Sequence, residues 1–430
     1  MFETWRNAFK QEDLRKKILY TVFILFIFRL GSAIPTPFIN PDALSSMVSS
    51  ADFLGYLNIM TGGGLEQANV FAMSITPYIN SSIIIQLLTV AIPALERLAK
   101  EGSEGQRTLK KITRYVTFAL AIIQALGLYF MMRRTSGVLE YTTGFSGVLA
   151  AITIIAVFTA GTAVVVWLGD RISEKGIGNG ISMILFAGII SRGPAAAQTL
   201  WAWWQLGSSE PKYYFLVPFI IVVFIAMIMF IVVMNDAERR IPISYAKRVV
   251  GRKMYGGQNT HIPIKVNMSG VMPIIFAMSF LSIPNMIGAF VNVEEGGFWD
   301  NFFALFETSS WLYAALYLVL IIAFNYFYVA IQYNPIEIAN NLRKNNGAIP
   351  GIRPGKPTSD FIARVISRIT LVGALFLGLI AVFPIVFSAI TKANVSLGGT
   401  SILIIVGVAL ETMRTLESQM MMRHHKGFLE

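Results

Sequence analysis

Two adjacent stretches decide how the chain is read. LNIMTGGGLEQANVFAM, Leu57–Met73, leads through Ser74 into ITPYINSSIIIQLL, Ile75–Leu88. The first is too short and too glycine-rich to cross a bilayer, and it lies in a stretch, about 36–73, without Lys or Arg. Two conformations suit it: a helix in a surface loop, or a short helix tucked into a bundle from outside. The second stretch is uncharged and apolar. Pro77 starts or kinks a helix there, and Ile79 and Ile83, four apart, share one face. Ile181 and Leu185 repeat that spacing in GIGNGISMILFAGI, Gly176–Ile189. Such a face serves either lipid contact or an apolar constriction that stops water and ions by dewetting. Asn80, Ser82, Gln86 and Asn179 are polar without charge. They suit ordinary helix packing or weak interhelical hydrogen bonds that part easily.

The rest of the 430-residue chain fits a membrane setting: 55% of its residues are hydrophobic and 14% charged. A soluble domain carries about 25% charged residues. At about 20 apolar residues per crossing, ten spans are expected, near 18–35, 74–95, 115–132, 148–168, 178–196, 213–234, 269–290, 312–333, 366–389 and 400–416. The basic residues Arg15, Lys16 and Lys17 precede the first, with no obvious small-residue cleavage site. With Arg414 and Arg192 counted at the span ends where they lie, 28 Lys/Arg fall on one side of the membrane and five on the other. The positive-inside rule then puts both termini in the cytoplasm. The expected class is an all-α polytopic membrane protein of ten transmembrane helices in two inverted halves of five, 1–200 and 201–430. An odd number of spans per half makes the halves antiparallel, as in many transporters.

Several chemistries find no support. Cysteine is absent, which removes disulfides, thiolate metal sites and cysteine nucleophiles. The span interiors hold almost no ionisable residues, so a proton relay is poorly served. GFSG, Gly144–Gly147, matches a short intramembrane-protease signature, but His261, His424 and His425 fall across the membrane from Ser146. No phosphate-binding loop is present, and no metal or cofactor is expected. A secondary transporter of a small solute stays open as the alternative, through uncharged backbone sites. Two cytoplasmic loops call for more than topology: 235–268, where IPISY and a basic run suggest a projecting hairpin, and 334–363, whose prolines and glycines punctuate a rigid tip at Arg353. Their charge suits anionic lipid, an acidic protein surface or RNA phosphates.

Taken together, the motifs carry a resemblance. ITPYINSSIIIQLLTV, KEGSEGQR (Lys100–Arg107), GIGNGISMILFAGI, SYAKRVVGRK (Ser244–Lys253), THIPIKVNMSGVMPIIF (Thr260–Phe276), NPIEIANNLRKNNGAIPGIRPG (Asn334–Gly355) and GGTSILIIV (Gly398–Val406) run in order through nearly the whole chain. The chain resembles the SecY/Sec61-alpha family of protein-conducting channels. The resemblance implies an hourglass channel through which secretory chains cross the plasma membrane and apolar segments leave sideways into lipid, without catalysis of its own. It implies a pore ring of Ile79, Ile83, Ile181, Leu185, Ile275 and Ile404, with Leu185 standing where isoleucine is common. It implies a plug over 57–72, including Leu57, Met60, Gly62, Gly63, Gly64 and Leu65. A lateral gate would involve Ser82, Gln86, Asn179 and Pro273, on or beside spans two, three, seven and eight. A docking surface would be formed by Arg239, Arg240, Lys247, Arg248, Arg252, Lys253, Arg353 and Lys356. The implied partners are SecE, SecG, the SecA ATPase, the ribosome, signal peptides and nascent chains, with anionic lipid around them.

Overall fold

The computed structural model of the chain describes residues 6, 8–50, 54, 58, 61–208, 210–245, 248–250, 253–255, 259–290, 297, 299, 302–303, 305–306, 310–391 and 399–424. Helices dominate. In chain order they are α1 (Glu12–Gly31), α2 (Pro41–Ser50), α3 (Thr76–Ala91), α4 (Pro93–Lys100), α5 (Ser103–Arg134), α6 (Gly144–Lys175), α7 (Gly180–Ile190), α8 (Gly193–Leu206) and α9 (Lys212–Asp236). Four strands follow, β1 (Glu238–Tyr245), β2 (Arg248–Val250), β3 (Lys253–Tyr255) and β4 (Asn259–Lys265). Then come α10 (Met272–Phe290), α11 (Trp311–Gln332), α12 (Pro335–Lys344), β5 (Gly347–Ala348), α13 (Lys356–Thr391) and α14 (Gly399–His424).

Every one of the ten apolar stretches falls on a helix. By length and apolarity, six helical stretches among the described residues can cross a membrane: 103–134, 144–175, 180–206, 212–236, 311–344 and 356–387. A seventh is added if the bent pair α3 and α4 counts as one crossing. That pair corrects the expected single span over 74–95. Helix α3 ends at Ala91, Ile92 takes an extended backbone, and α4 leaves at 102°. Pro93 is the cause, since a proline disfavours helical backbone at the residue before it and readily begins a new helix. At about 1.5 Å per residue, α3 is about 24 Å long, short of a hydrocarbon core of about 30 Å. The fifth stretch is also divided, at Ser191 and Arg192 between α7 and α8.

Helix α9 shows what lipid contact looks like in this chain. It is apolar on all sides and buries only Val217, Ile220 and Ile231. Most of the long helices, α9 on one face included, meet in three apolar cores. One joins α2, α5 and α6 with Leu54, Leu65, Ala68, Ala72 and Met73. Another gathers α1, α3, α6, α7, α10 and α14. The third packs α9, α10, α11, α13 and α14. Close backbone approach inside these cores needs glycine. A Cβ at Gly161 of α6 would lie 2.0 Å from the carbonyl oxygen of Val70, and one at Gly180 would lie 1.8 Å from that of Gly169.

Candidate functional site: an apolar constriction and its seal

The six residues expected in a ring come from four helices far apart in the chain, and the fold collects them. Ile79 and Ile83 of α3, Leu185 of α7, Ile275 of α10 and Ile404 of α14 are all buried in one cluster, with Ile181 of α7 half-buried against it. Phe71, Ile75 and Phe28 complete its lining. Branched aliphatic side chains packed together exclude water by packing alone and offer no directional bond.

Residues 61–75 join two cores: Val70, Phe71 and Ile75 pack in this cluster, and Leu65, Ala68, Ala72 and Met73 in the core of α2, α5 and α6. The segment forms a succession of turns in place of the expected short helix. Positive φ angles at Gly62, Gly63, Ala68 and Ser74 break helical continuity four times in that segment. The segment is tucked into the bundle: Leu65, Ala68, Phe71, Ala72 and Met73 are all buried. Two contacts fix its depth. Gly62 lies so close to α7 that a Cβ there would meet the Gly188 carbonyl oxygen at 2.4 Å. Phe71 stacks on Phe28 of α1, with ring centroids 5.7 Å apart and planes 4° from parallel. Backbone polarity is met locally. Val70 N–H donates to Ile34 O at 3.0 Å, Ala68 O accepts from Thr36 N–H at 2.7 Å, and Asn69 Nδ2 donates to Ser32 O at 2.8 Å. Gly63 and Gly64 share this buried run, while Leu57 and Met60 lie outside the described residues.

The gate candidates separate into two groups. Ser82 and Gln86 lie half-buried on α3, and Pro273 is buried in the first turn of α10, which packs against both α3 and α5. Helix α11 lies beside α10. Asn179 is elsewhere. It caps α7, its side-chain oxygen accepting from the N–H groups of Ile181 at 3.1 Å and Ser182 at 3.4 Å. A polar network at the foot of α10 was not legible in the sequence. Ser269 Oγ donates to Asn325 Oδ1, and Asn325 Nδ2 donates to Thr370 O at 2.9 Å, deep between α11 and α13. Asn267, first residue of a glycosylation sequon, is buried and donates to Asn235 Oδ1 at 2.7 Å, which removes it as an acceptor site.

The two basic loops form one surface. β1 pairs antiparallel with β4, from Glu238 opposite Lys265 to Ser244 opposite Asn259, as the alternation of IPISY suggested. β2 and β3 continue as a second ribbon. The other loop adds β5 to the opposite edge of β1, with Tyr245 opposite Gly347. Ile241 and Ile243 turn inward, onto a small core with Leu342, Ile349, Ile362 and Ile366. Arg239, Arg240, Arg353 and Lys356 stay exposed, and Arg240 pairs with Glu238 at 2.7 Å. The side chains of Arg248 and Lys253, and Lys247 and Arg252 altogether, lie outside the described residues. At the sheet's base, burial pulls the Lys265 ammonium below the usual lysine range, and the charge of Arg414 adds to it. Arg414 also donates to the carbonyl of Asn235 at 3.0 Å, tying α14 to the root of β1.

Nothing comparable surrounds Ser146. It lies on the exposed first turn of α6, and its hydroxyl donates to the Thr143 carbonyl at 3.4 Å.

Comparison with known proteins agrees with this geometry. The SecY family model matches residues 69–413. The chain is 43% identical over 446 residues to the protein translocase subunit SecY of Streptomyces coelicolor, covering 100% of both chains. It is 40% identical over 450 residues to that of Mycobacterium tuberculosis, again covering 100% of both. Among solved structures, one described as a protein conducting channel superposes with a TM-score of 0.62 at 18% identity, covering 94% of this chain and 92% of that one. Sec61 in a canine ribosome-channel complex superposes with a TM-score of 0.56 at 16% identity, covering 94% and 92%. At those identities the superpositions speak for the fold. Sequence and fold agree: the chain belongs to the SecY family of protein-translocating channel subunits.

Proposed function

We propose that the apolar cluster is the constriction through which the translocated chain passes, and that residues 57–72 plug it. The observation that carries this reading is the convergence of Ile79, Ile83, Ile181, Leu185, Ile275 and Ile404 from four helices on one apolar cluster, which also contains Phe71. A translocated polypeptide has no fixed sequence. A ring of aliphatic side chains closes around any of them and binds none tightly. The ten helical stretches then act as ten spans in two inverted halves, 1–200 and 201–430, with both termini in the cytoplasm, in the bacterial plasma membrane. The seam of α3 and α5 against α10 and α11 is the lateral gate. Its contacts are apolar packing and a few uncharged polar groups, weak enough for a signal helix to part through its own transfer into lipid. The sheet of β1, β4 and β5, with Arg240 and Arg353 exposed, docks the SecA motor and the ribosome. SecE and SecG complete the assembly, and anionic lipid faces the basic side. The channel itself hydrolyses nothing, and the motor, the ribosome or the membrane potential supplies the work.

A photo-crosslinking residue in place of Ile83, with a secretory chain stalled in transit, tests the constriction. Adducts are expected at Ile83 and absent from Phe219 on the lipid-facing helix α9. A stalled chain that never reacts at position 83 refutes the assignment.

A further inference from the structure

The segment against the constriction is held by one carboxylate. Glu66 accepts from Asn58 Nδ2 at 2.8 Å and from Ser45 Oγ of α2 at 3.2 Å. It also pairs with Arg192 Nη2, at the break between α7 and α8, at 3.5 Å. Its own backbone N–H donates to Asn58 Oδ1 at 3.0 Å. Two pieces of chain outside the segment, at 45 and 192, therefore converge on this side chain, and Asn58 braces it from within the segment. Neighbouring contacts aim the same way. Ser191 Oγ, one residue before Arg192, lies 3.4 Å from the carbonyl oxygen of Gly62, where the plug touches the α7 backbone.

We propose that Glu66 and Arg192 form a latch that positions the plug in the closed channel. The proposal rests on reading residues 57–72 as a plug. Glu66 and Arg192 are positioning residues and touch no translocated chain. The side chains are 36% and 23% exposed, so water screens the pair and its strength is modest. The two neutral hydrogen bonds to the same carboxylate add to it because they are charge-assisted. Such a hold suits a part that must leave. Apolar packing around Leu65, Ala68 and Phe71 seals the closed state, while the latch selects the one seating in which that packing is made. An arriving chain displaces the plug by breaking this polar cluster together with the isolated hydrogen bonds of Ala68, Asn69 and Val70 to residues 32–36.

The chain contains no cysteine, so a single Leu65→Cys change gives a clean reporter of plug seating. Leu65 is 1% exposed, and a thiol there is shielded when the plug is seated. The experiment compares the full-length reporter chain alone with versions carrying Glu66→Gln, Arg192→Glu or the exchanged pair Glu66→Arg with Arg192→Glu. It reads labelling by a membrane-impermeant thiol reagent, and ion leak through the reconstituted channel without the reporter. Glu66→Gln keeps the shape and the Asn58 backbone contact and is expected to raise both readouts about threefold. Arg192→Glu places like charges together and is expected to raise them on the order of tenfold. The exchanged pair restores opposite charge and is expected to bring both back toward the starting level. Unchanged labelling and leak in Arg192→Glu overturns the latch, and so does a rise that the exchanged pair does not reduce. Deleting 57–72 separates the two readings. A leak after deletion, with the charge variants silent, refutes the latch alone, while no leak after deletion refutes the plug and the latch with it.

Discussion

Two regions of this chain leave the helical pattern, and they solve the same problem in opposite ways. Residues 61–75 run through the interior of the bundle, and β1, β4 and β5 project beyond it. Backbone outside a helix must find hydrogen bonds, and within a bilayer only the protein can supply them. The sheet uses a continuous antiparallel ladder, from Glu238–Lys265 to Ser244–Asn259, and rests on the buried side chains of Ile241, Ile243 and Ile264. The interior segment uses isolated turns and a few side-chain partners, such as Asn69 on the Ser32 carbonyl. A ladder breaks only as a unit, whereas isolated bonds break one at a time. The first architecture makes a fixed platform and the second a removable part. On the plug reading proposed above, the departure of this segment opens a path.

The sharpest way to break this comparison is at Gly62. Its φ of +69° and the Gly188 carbonyl 2.4 Å from a hypothetical Cβ leave no room for a side chain. Gly62→Val costs several kcal/mol in the seated position. A rise in ion leak of at least tenfold is expected in planar-bilayer recordings, with binding of the motor unchanged. Leak at the wild-type level would mean that the segment's seating is not what seals the channel.

A second change strikes the platform and should do the reverse. Ile243 is 3% exposed in the core beneath the sheet, and Ile243→Ser removes apolar burial worth about 2–4 kcal/mol. Protease protection of residues 238–265 and motor-driven transport should both fall severalfold, without added leak. Leak rising in parallel would show that platform and plug are one mechanical unit, contrary to the contrast drawn here.

The smallest effect is electrostatic. Arg353→Glu reverses an exposed charge at the rim of the platform. A two- to fivefold loss of motor-driven transport is expected, larger at low salt and shrinking as ionic strength rises. Transport indifferent to the substitution across a salt series would remove Arg353 from the docking surface.

Much of this was legible before any coordinates. The apolar stretches fell on helices because burial in lipid demands internally bonded backbone, and an uncharged run leaves few alternatives. The hairpin could be read in IPISY because alternation is the mark of a strand with one buried face. The break after Ala91 was missed although Pro93 was visible, because hydropathy continues through Ile92 while the backbone does not. The turns of 61–75 were read as a short helix, since glycines announce freedom without stating which φ each adopts. Glu66 and Arg192 gave no signal at all, lying 126 residues apart with ordinary neighbours. Asn325 likewise looked like one more polar residue in a span.

The sequence by itself determined where the chain is apolar, how its charge is distributed among the segments between apolar stretches, and which family it resembles. Those are properties of composition and local order, and solvent transfer energies read them residue by residue. Only the tertiary structure decided that Ile79, Leu185, Ile275 and Ile404 share one centre, that the two basic loops merge at β1, and that Glu66 meets Arg192. These contacts join residues from tens to hundreds of positions apart. No local energy term distinguishes them from the many other pairings the same residues offer, until packing of the whole bundle selects one.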